Sequence, residues 1–238
     1  MTVPHLILAM EQRWIALFKP AGLPVFAPHN DPQGDCLLAR LFDAVPSQKE
    51  GPWPSGFAGG IAHRLDIPTS GQVIVARTPS DLRWIRELFS TKQLHKQYGF
   101  LTAKTVGWSS HVIAAPIAHD RRRKGRMVVQ RGNSTPHRGK WLSAQTHFTR
   151  ISPVGVLTAW QAEMQTGVMH QIRVHAGFAG LALAGDRRYG GGQAHRDFPV
   201  DFALHHRGLH GPGLHPPPAP LPSWWPVLIE KWPRTAPR

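Results

Sequence analysis

The sequence predicts a single domain of the α+β class. Short apolar runs with strand-like patterning recur at 14–18, 72–77, 96–103, 144–150 and 156–164. Between them, 36–42, 78–92 and 170–179 carry apolar residues at helical spacing. No internal repeat or linker divides the 238 residues into two cores, and one domain of that length buries about 70% of its unfolded surface. Residues 1–238 are therefore taken as one domain, with the Pro-rich segment 211–238 packed on it.

Taken in order, Trp14-Ile15-Ala16-Leu17-Phe18 reads as a buried strand, stopped by the turn residues Lys19-Pro20-Ala21-Gly22-Leu23-Pro24. Leu37, Leu38, Leu41 and Phe42 make a helical stripe, with Asp35 expected as its N-cap. A Gly/Pro/Ser-rich loop over 49–60 leads into Ala62–Gly71, which reads Ala-His-Arg-Leu-Asp-Ile-Pro-Thr-Ser-Gly. Pro68 and Gly71 punctuate a turn there, and Ile67, before the proline, is driven towards extended geometry. Asp66 thus sits on a tight loop feeding a buried strand, a place where scaffolds display reactive side chains. An aspartate that hydrogen-bonds its own turn is the alternative these residues leave open.

Thr78-Pro79-Ser80-Asp81 opens a helix with Leu82, Ile85, Leu88 and Phe89 on one face and Arg83, Arg86 and Lys92 facing outward. After the strand at 96–103 comes the densest charge cluster, His119-Asp120-Arg121-Arg122-Arg123-Lys124-Gly125-Arg126, expected as an exposed loop or hairpin. Such blocks are ordinarily solvated. Here the sign matches the excess of the whole chain, so phosphate contact is expected of Arg121, Arg122, Arg123, Lys124 and Arg126. Beyond the last two strands, Gln165-Thr166-Gly167 turns into the helix 170–179, and glycines at 180, 185 and 190–192 break the chain after it. The stretch 211–222 is Pro-rich and extended. A short helix over Trp224–Trp232 is expected to pack on the domain.

Composition narrows the function. The 28 Lys and Arg against 14 Asp and Glu give a formal charge of +14, which favours a polyanionic partner, nucleic acid or an anionic membrane surface. A lone cysteine, Cys36, excludes an internal disulfide and any cysteine-built zinc or iron–sulfur site. No run approaches the ~18–20 apolar residues of a membrane span, and neither a P-loop nor a dinucleotide fingerprint is present. A cytoplasmic protein that meets nucleic acid is the expectation.

The motifs together resemble the RluA-type pseudouridine synthases over nearly the whole chain. The 18–23 segment is similar to that family's Asn-Lys-Pro-Ala-Gly-Leu, with Phe18 in the Asn place. His63-Arg64-Leu65-Asp66 with Thr69-Ser70-Gly71, Lys96-Gln97-Tyr98, and Gly167–His175 followed by Gly185-Asp186-Arg187-Arg188-Tyr189-Gly190 match its signatures in order. Where the family usually has Leu-His-Ala and a later His-Pro, this chain reads Leu204-His205-His206 and lacks a clear Phe-x-His-Pro. The small N-terminal RNA-binding module of many relatives is expected to be absent, since the matching strand begins by Trp14.

The resemblance implies a mixed, largely antiparallel central sheet and the isomerisation of uridine to pseudouridine in tRNA or rRNA, by a monomer using no cofactor and no metal. It implies a catalytic set of Asp66 as nucleophile, Tyr98 against the uracil as stacking partner and proton acceptor, and Arg173 as the ion-pair partner that keeps Asp66 charged. Arg64 is expected to fill the place of the flipped base, and His170 and Gln171 to contact RNA. Two other classes stay open on the residues. One is an RNA-binding protein with the fold but no activity. The other is a metal hydrolase built on His195, His205, His206, His210 and His215, against which the loose spacing argues. A kinase catalytic loop fails on residue order, because His-Arg-Leu-Asp is not His-Arg-Asp.

Overall fold

In the computed structural model, which describes residues 6–192 and 202–225, the apolar runs pair into one broad sheet. The elements in chain order are β1 (Ile7–Met10), β2 (Trp14–Lys19), α1 (Leu37–Ala44), β3 (Ser70–Ala76), α2 (Pro79–Ser90), β4 (His95–Thr102), β5 (Ser110–Ile113), β6 (Ile117–Asp120), β7 (Met127–Val129), β8 (His137–Leu142), β9 (Thr146–Val154), β10 (Leu157–Met164), α3 (Gln171–Phe178) and β11 (Leu204–His210). The main sheet has eight strands in the order β1-β2-β3-β11-β4-β10-β9-β5, and a small three-stranded sheet runs β7-β6-β8. Among the described residues every ladder is antiparallel except β3 with β11. This is the α+β architecture expected.

Both faces of the central strands are covered, which is why β2 and β3 read as unbroken apolar runs. Ile15, Leu17, Val73 and Val75 join Leu37 and Leu41 of α1 and Ile172 and Ala176 of α3 in one core. Trp14, Ala16, Ile74 and Ala76 meet Leu82, Ile85 and Leu88 of α2 in another. Thr78 caps α2, its hydroxyl accepting from the Asp81 N–H at 3.2 Å.

The cap of α1 differs from the sequence expectation. Cys36, not Asp35, is the N-cap, its Sγ accepting from the Ala39 N–H at 3.4 Å. Asp35 lies one residue too early, and its carboxylate pairs with Arg40 instead. Three strands carry little local signal. β1 and β5 are short, and β8 (His-Arg-Gly-Lys-Trp-Leu) is a polar edge strand inside what reads as loop. β11 is hidden by its histidines, yet it lies buried between β3 and β4. Of the helix expected over 224–232, Trp224 and Trp225 form a buried turn, Trp225 seated over Gly99 of β4; the rest lies outside the described residues.

One transverse row of the sheet organises the centre of the molecule. Lys19 pairs with Gly71, Gly71 with His206, and His206 with Tyr98. Gly71 has φ +126, and a Cβ there would stand 2.1 Å from the His206 carbonyl oxygen. The glycine that ends the Thr-Ser-Gly motif is therefore what lets β3 and β11 approach.

Candidate active site

Asp66 is anchored through its backbone. The Thr69 N–H donates to the Asp66 carbonyl at 3.0 Å, closing the turn, and the Gly22 N–H donates to the Ile67 carbonyl at 2.8 Å. Lys19, fully buried at the end of β2, adds a third tie: its ammonium donates to the carbonyls of Pro20 (3.0 Å), Leu23 (2.7 Å) and Ile67 (3.0 Å). Burial lowers the Lys19 pKa to about 8, with the Asp66 charge acting in the opposite direction. The turn needs no help from the aspartate side chain, which is directed elsewhere.

Its partner is Arg173, in the first turn of α3 and 107 residues away in sequence, whose Nη1 lies 2.8 Å from Asp66 Oδ2. The same guanidinium binds Asp186 with two bonds, Nε to Oδ2 at 2.8 Å and Nη2 to Oδ1 at 3.0 Å. Burial works against the charge on Arg173, but the two carboxylates overcome it and raise its pKa above the ordinary arginine value. Asp186 is itself buried, and its Oδ1 also accepts the Arg188 N–H at 3.1 Å. Sequence reasoning assigns Asp186 no role. The one signal it offers is a lone acid in the basic stretch Gly-Asp-Arg-Arg-Tyr.

Tyr98 stands on β4 with its ring 4.4 Å from that of His206, centroid to centroid. Burial, reinforced by the charge of Asp66, pushes its phenol pKa well above normal, so the group stays protonated. Behind it, His206 donates from Nδ1 to the Gln72 carbonyl at 2.7 Å, and His63 accepts the Ile74 N–H at 3.1 Å. His205 and His206 are kept neutral chiefly by burial, with pKa values lowered to about 3 and about 4.

The remaining expected site residues divide. Arg64 is exposed on the Asp66 loop, and Arg121, Arg122, Arg123 and Lys124 are exposed at the tip of the β6–β7 hairpin. Arg126 is half-buried, its guanidinium 5.1 Å from the ring centre of Tyr189. His170 joins the site: its Nε2 is 3.7 Å from Asp66 Oδ2, close enough for attraction but too far for a hydrogen bond. Gln171 does not join it. Its buried amide bonds the Gln145 carbonyl (2.9 Å), the Thr146 hydroxyl (3.1 Å), the Val168 N–H (3.1 Å) and the Thr166 hydroxyl (2.9 Å), which fills its capacity inside the protein. The RNA contact expected of Gln171 therefore finds no spare side-chain hydrogen-bonding group in this structure. Among the described residues no three His, Cys, Asp or Glu side chains are grouped to hold a metal ion, and His195 lies outside them. No helix among those residues is long and apolar enough to cross a membrane.

A family model described as RNA pseudouridylate synthase matches residues 13–177, a span that holds Asp66, Tyr98 and Arg173. This chain belongs to that family. Among its relatives, a ribosomal large subunit pseudouridine synthase D from Xylella fastidiosa is 32% identical over 189 residues, covering 79% of this chain and 53% of that protein. A protein of the same name from Zymomonas mobilis is 27% identical over 217 residues, covering 89% of this chain and 64% of its own length. The chain thus spans little more than half, and at most about two thirds, of these relatives. In fold it is similar to human RNA pseudouridylate synthase domain containing 1, with a TM-score of 0.68 at 20% identity over 89% of this chain and 82% of that one.

Proposed function

We propose that the chain converts uridine to pseudouridine in structured RNA, with Asp66 as its nucleophile. The observation that carries this reading is the carboxylate of Asp66, held 2.8 Å from a buried arginine beside the buried ring of Tyr98. The glycosidic nitrogen–carbon bond opens, the uracil turns, and carbon 5 bonds to the anomeric carbon. The proton lost at carbon 5 is balanced by one gained at nitrogen 1. Asp66 holds one of the two fragments while the bond is open. Arg173 pairs with that carboxylate and holds it in one place, because Asp186 fixes the other side of the guanidinium.

Tyr98 supplies a face for the uracil. As a neutral phenol it takes the carbon 5 proton only by handing its own proton on; the released carboxylate of Asp66 accepts it and passes it through solvent to nitrogen 1, which restores the nucleophile. Arg64 occupies the space the flipped uridine leaves, offsetting an unstacking cost of a few kcal/mol. The exposed cations of the hairpin hold phosphates. The names of the relatives make ribosomal RNA the first substrate to test, with tRNA second, and the cytoplasm the place where a single chain would meet either.

The test is release of tritium from RNA carrying carbon-5-labelled uridine, with pseudouridine mapping of total RNA in cells with and without the gene. Asp66→Ala is expected to abolish release while RNA binding persists. Release at the wild-type rate from that variant would overturn the assignment. Wild-type protein that binds RNA and releases no tritium would instead favour an inactive RNA-binding protein.

A further inference from the structure

Tyr189 is where the basic hairpin and the catalytic ion pair meet, and neither phosphate contact nor the chemistry at Asp66 accounts for it. Its hydroxyl accepts the N–H of Met127, the first residue of β7, at 2.9 Å. The same hydroxyl lies 2.7 Å from Nδ1 of His170. The guanidinium carbons of Arg126, on the hairpin, and Arg173, on α3, stand 5.1 and 5.2 Å from its ring centre. Arg188, the preceding residue, donates from Nη1 to the Gly125 carbonyl of the hairpin and from its backbone N–H to Asp186.

Donor chemistry fixes the first of these bonds, and the retained phenol proton sets the sense assigned to the second. A backbone N–H only donates, so Met127 occupies a lone pair of the phenol oxygen and leaves the phenol proton for His170. Burial pushes the Tyr189 pKa up to about 12, so that proton is retained. Nδ1 of His170 is then an acceptor, and burial also favours the neutral ring. With the phenol as donor, the imidazole proton sits on Nε2, which faces Asp66 Oδ2 at 3.7 Å. Each dipole from Met127 onward points its positive end towards the carboxylate. His170 holds a left-handed backbone, φ 56 and ψ 19, at the start of α3, a conformation that is unfavourable for a residue with a Cβ. Such strain persists where surrounding ties over-determine the position.

We propose that Tyr189, acting through His170, is a positioning residue that couples the seating of the hairpin on RNA to the placement of Asp66. The proposal rests on the reading of Asp66 as nucleophile and of the hairpin as an RNA contact. When phosphates draw on Arg121–Lys124, the hairpin moves as a unit with Met127, and Tyr189 carries the displacement to the ring that faces the carboxylate.

Tyr189→Phe keeps the ring between the two guanidinium groups and removes both hydrogen bonds. The expected effect is a kcat about tenfold lower, the scale of one lost hydrogen bond, with KM for RNA within about twofold. A double-mutant cycle with Arg126→Ala isolates the coupling. In the wild-type background Arg126→Ala is expected to lower kcat and raise KM, and in the Tyr189→Phe background to raise KM only. Additive effects on kcat would overturn the proposal. A second measurement needs neither activity nor the variant: nitrogen-15 spectra of His170 should show Nε2 protonated and Nδ1 as acceptor. A proton on Nδ1 in the wild-type chain would overturn it as well. Wild-type protein with no turnover would sink the functional reading instead, and the spectrum would still decide the relay.

Discussion

The Asp66 loop and the β6–β7 hairpin are both charged turns, and they are held in opposite ways. Around Asp66 each charge is fixed: Lys19 is buried against three carbonyls, and Arg173 is shared between two carboxylates. At the hairpin tip Arg121, Arg122, Arg123 and Lys124 are exposed to solvent. The difference suits the two tasks proposed for these turns. A nucleophile acts at one atom, so its position must be over-determined and water kept from its partner. Phosphate contact is summed over several charges and tolerates flexible, hydrated side chains, because its energy comes from counterion release.

The sharpest way to break this comparison is Asp186→Ala. It leaves the buried Arg173 with a single ion pair, and a stability loss of about 3–5 kcal/mol is expected from urea denaturation, together with loss of turnover. A change below ~1 kcal/mol would mean the site is less tightly built than its geometry implies.

Acid provides the next test. Burial lowers the pKa of His205 to about 3 and of His206 to about 4 in the folded chain, against about 6.5 when unfolded. As pH falls below about 6.5 the unfolded chain binds protons that the native chain refuses, so stability is lost from there down to the folded values. The loss is about 2 kcal/mol per histidine at pH 5. Equal urea midpoints at pH 7 and pH 5 would contradict their buried, neutral state.

The smallest effect on the fold is expected at the hairpin. Replacing Arg121, Arg122, Arg123 and Lys124 with alanine should leave the melting temperature within a few degrees. RNA affinity should fall, and the logarithmic salt slope should flatten by about 1 for each phosphate contact removed. An unchanged slope would take the hairpin off the RNA surface.

Much of the site is legible in the sequence because it is written locally. The His-Arg-Leu-Asp turn, the strand that carries Tyr98 and the helix that carries Arg173 each announce themselves within a dozen residues. Lys19 and Asp186 do not. A lysine after an apolar strand reads as a surface residue, and only the carbonyl of Ile67, 48 residues later, makes it an anchor. β11 escapes a local reading because Leu-His-His-Arg-Gly-Leu-His carries no apolar alternation, and its histidines are buried only once β3 and β4 close on both sides. The N-cap of α1 sits one residue beyond its expected place, since the choice depends on which backbone is extended.

By itself the sequence determined the mixed class, the order of most strands and helices, and the chemical types a carboxylate-based site requires. Periods of two and 3.6 residues and the turn chemistry of Gly and Pro act over neighbouring residues, so they survive without the rest of the chain. What only the tertiary structure decided is how those parts meet. The parallel insertion of β11, the division of Arg173 between Asp66 and Asp186, and the bridge from Met127 through Tyr189 to His170 join residues from about a dozen to more than a hundred positions apart. Such contacts depend on chain closure and packing, and no local pattern records them.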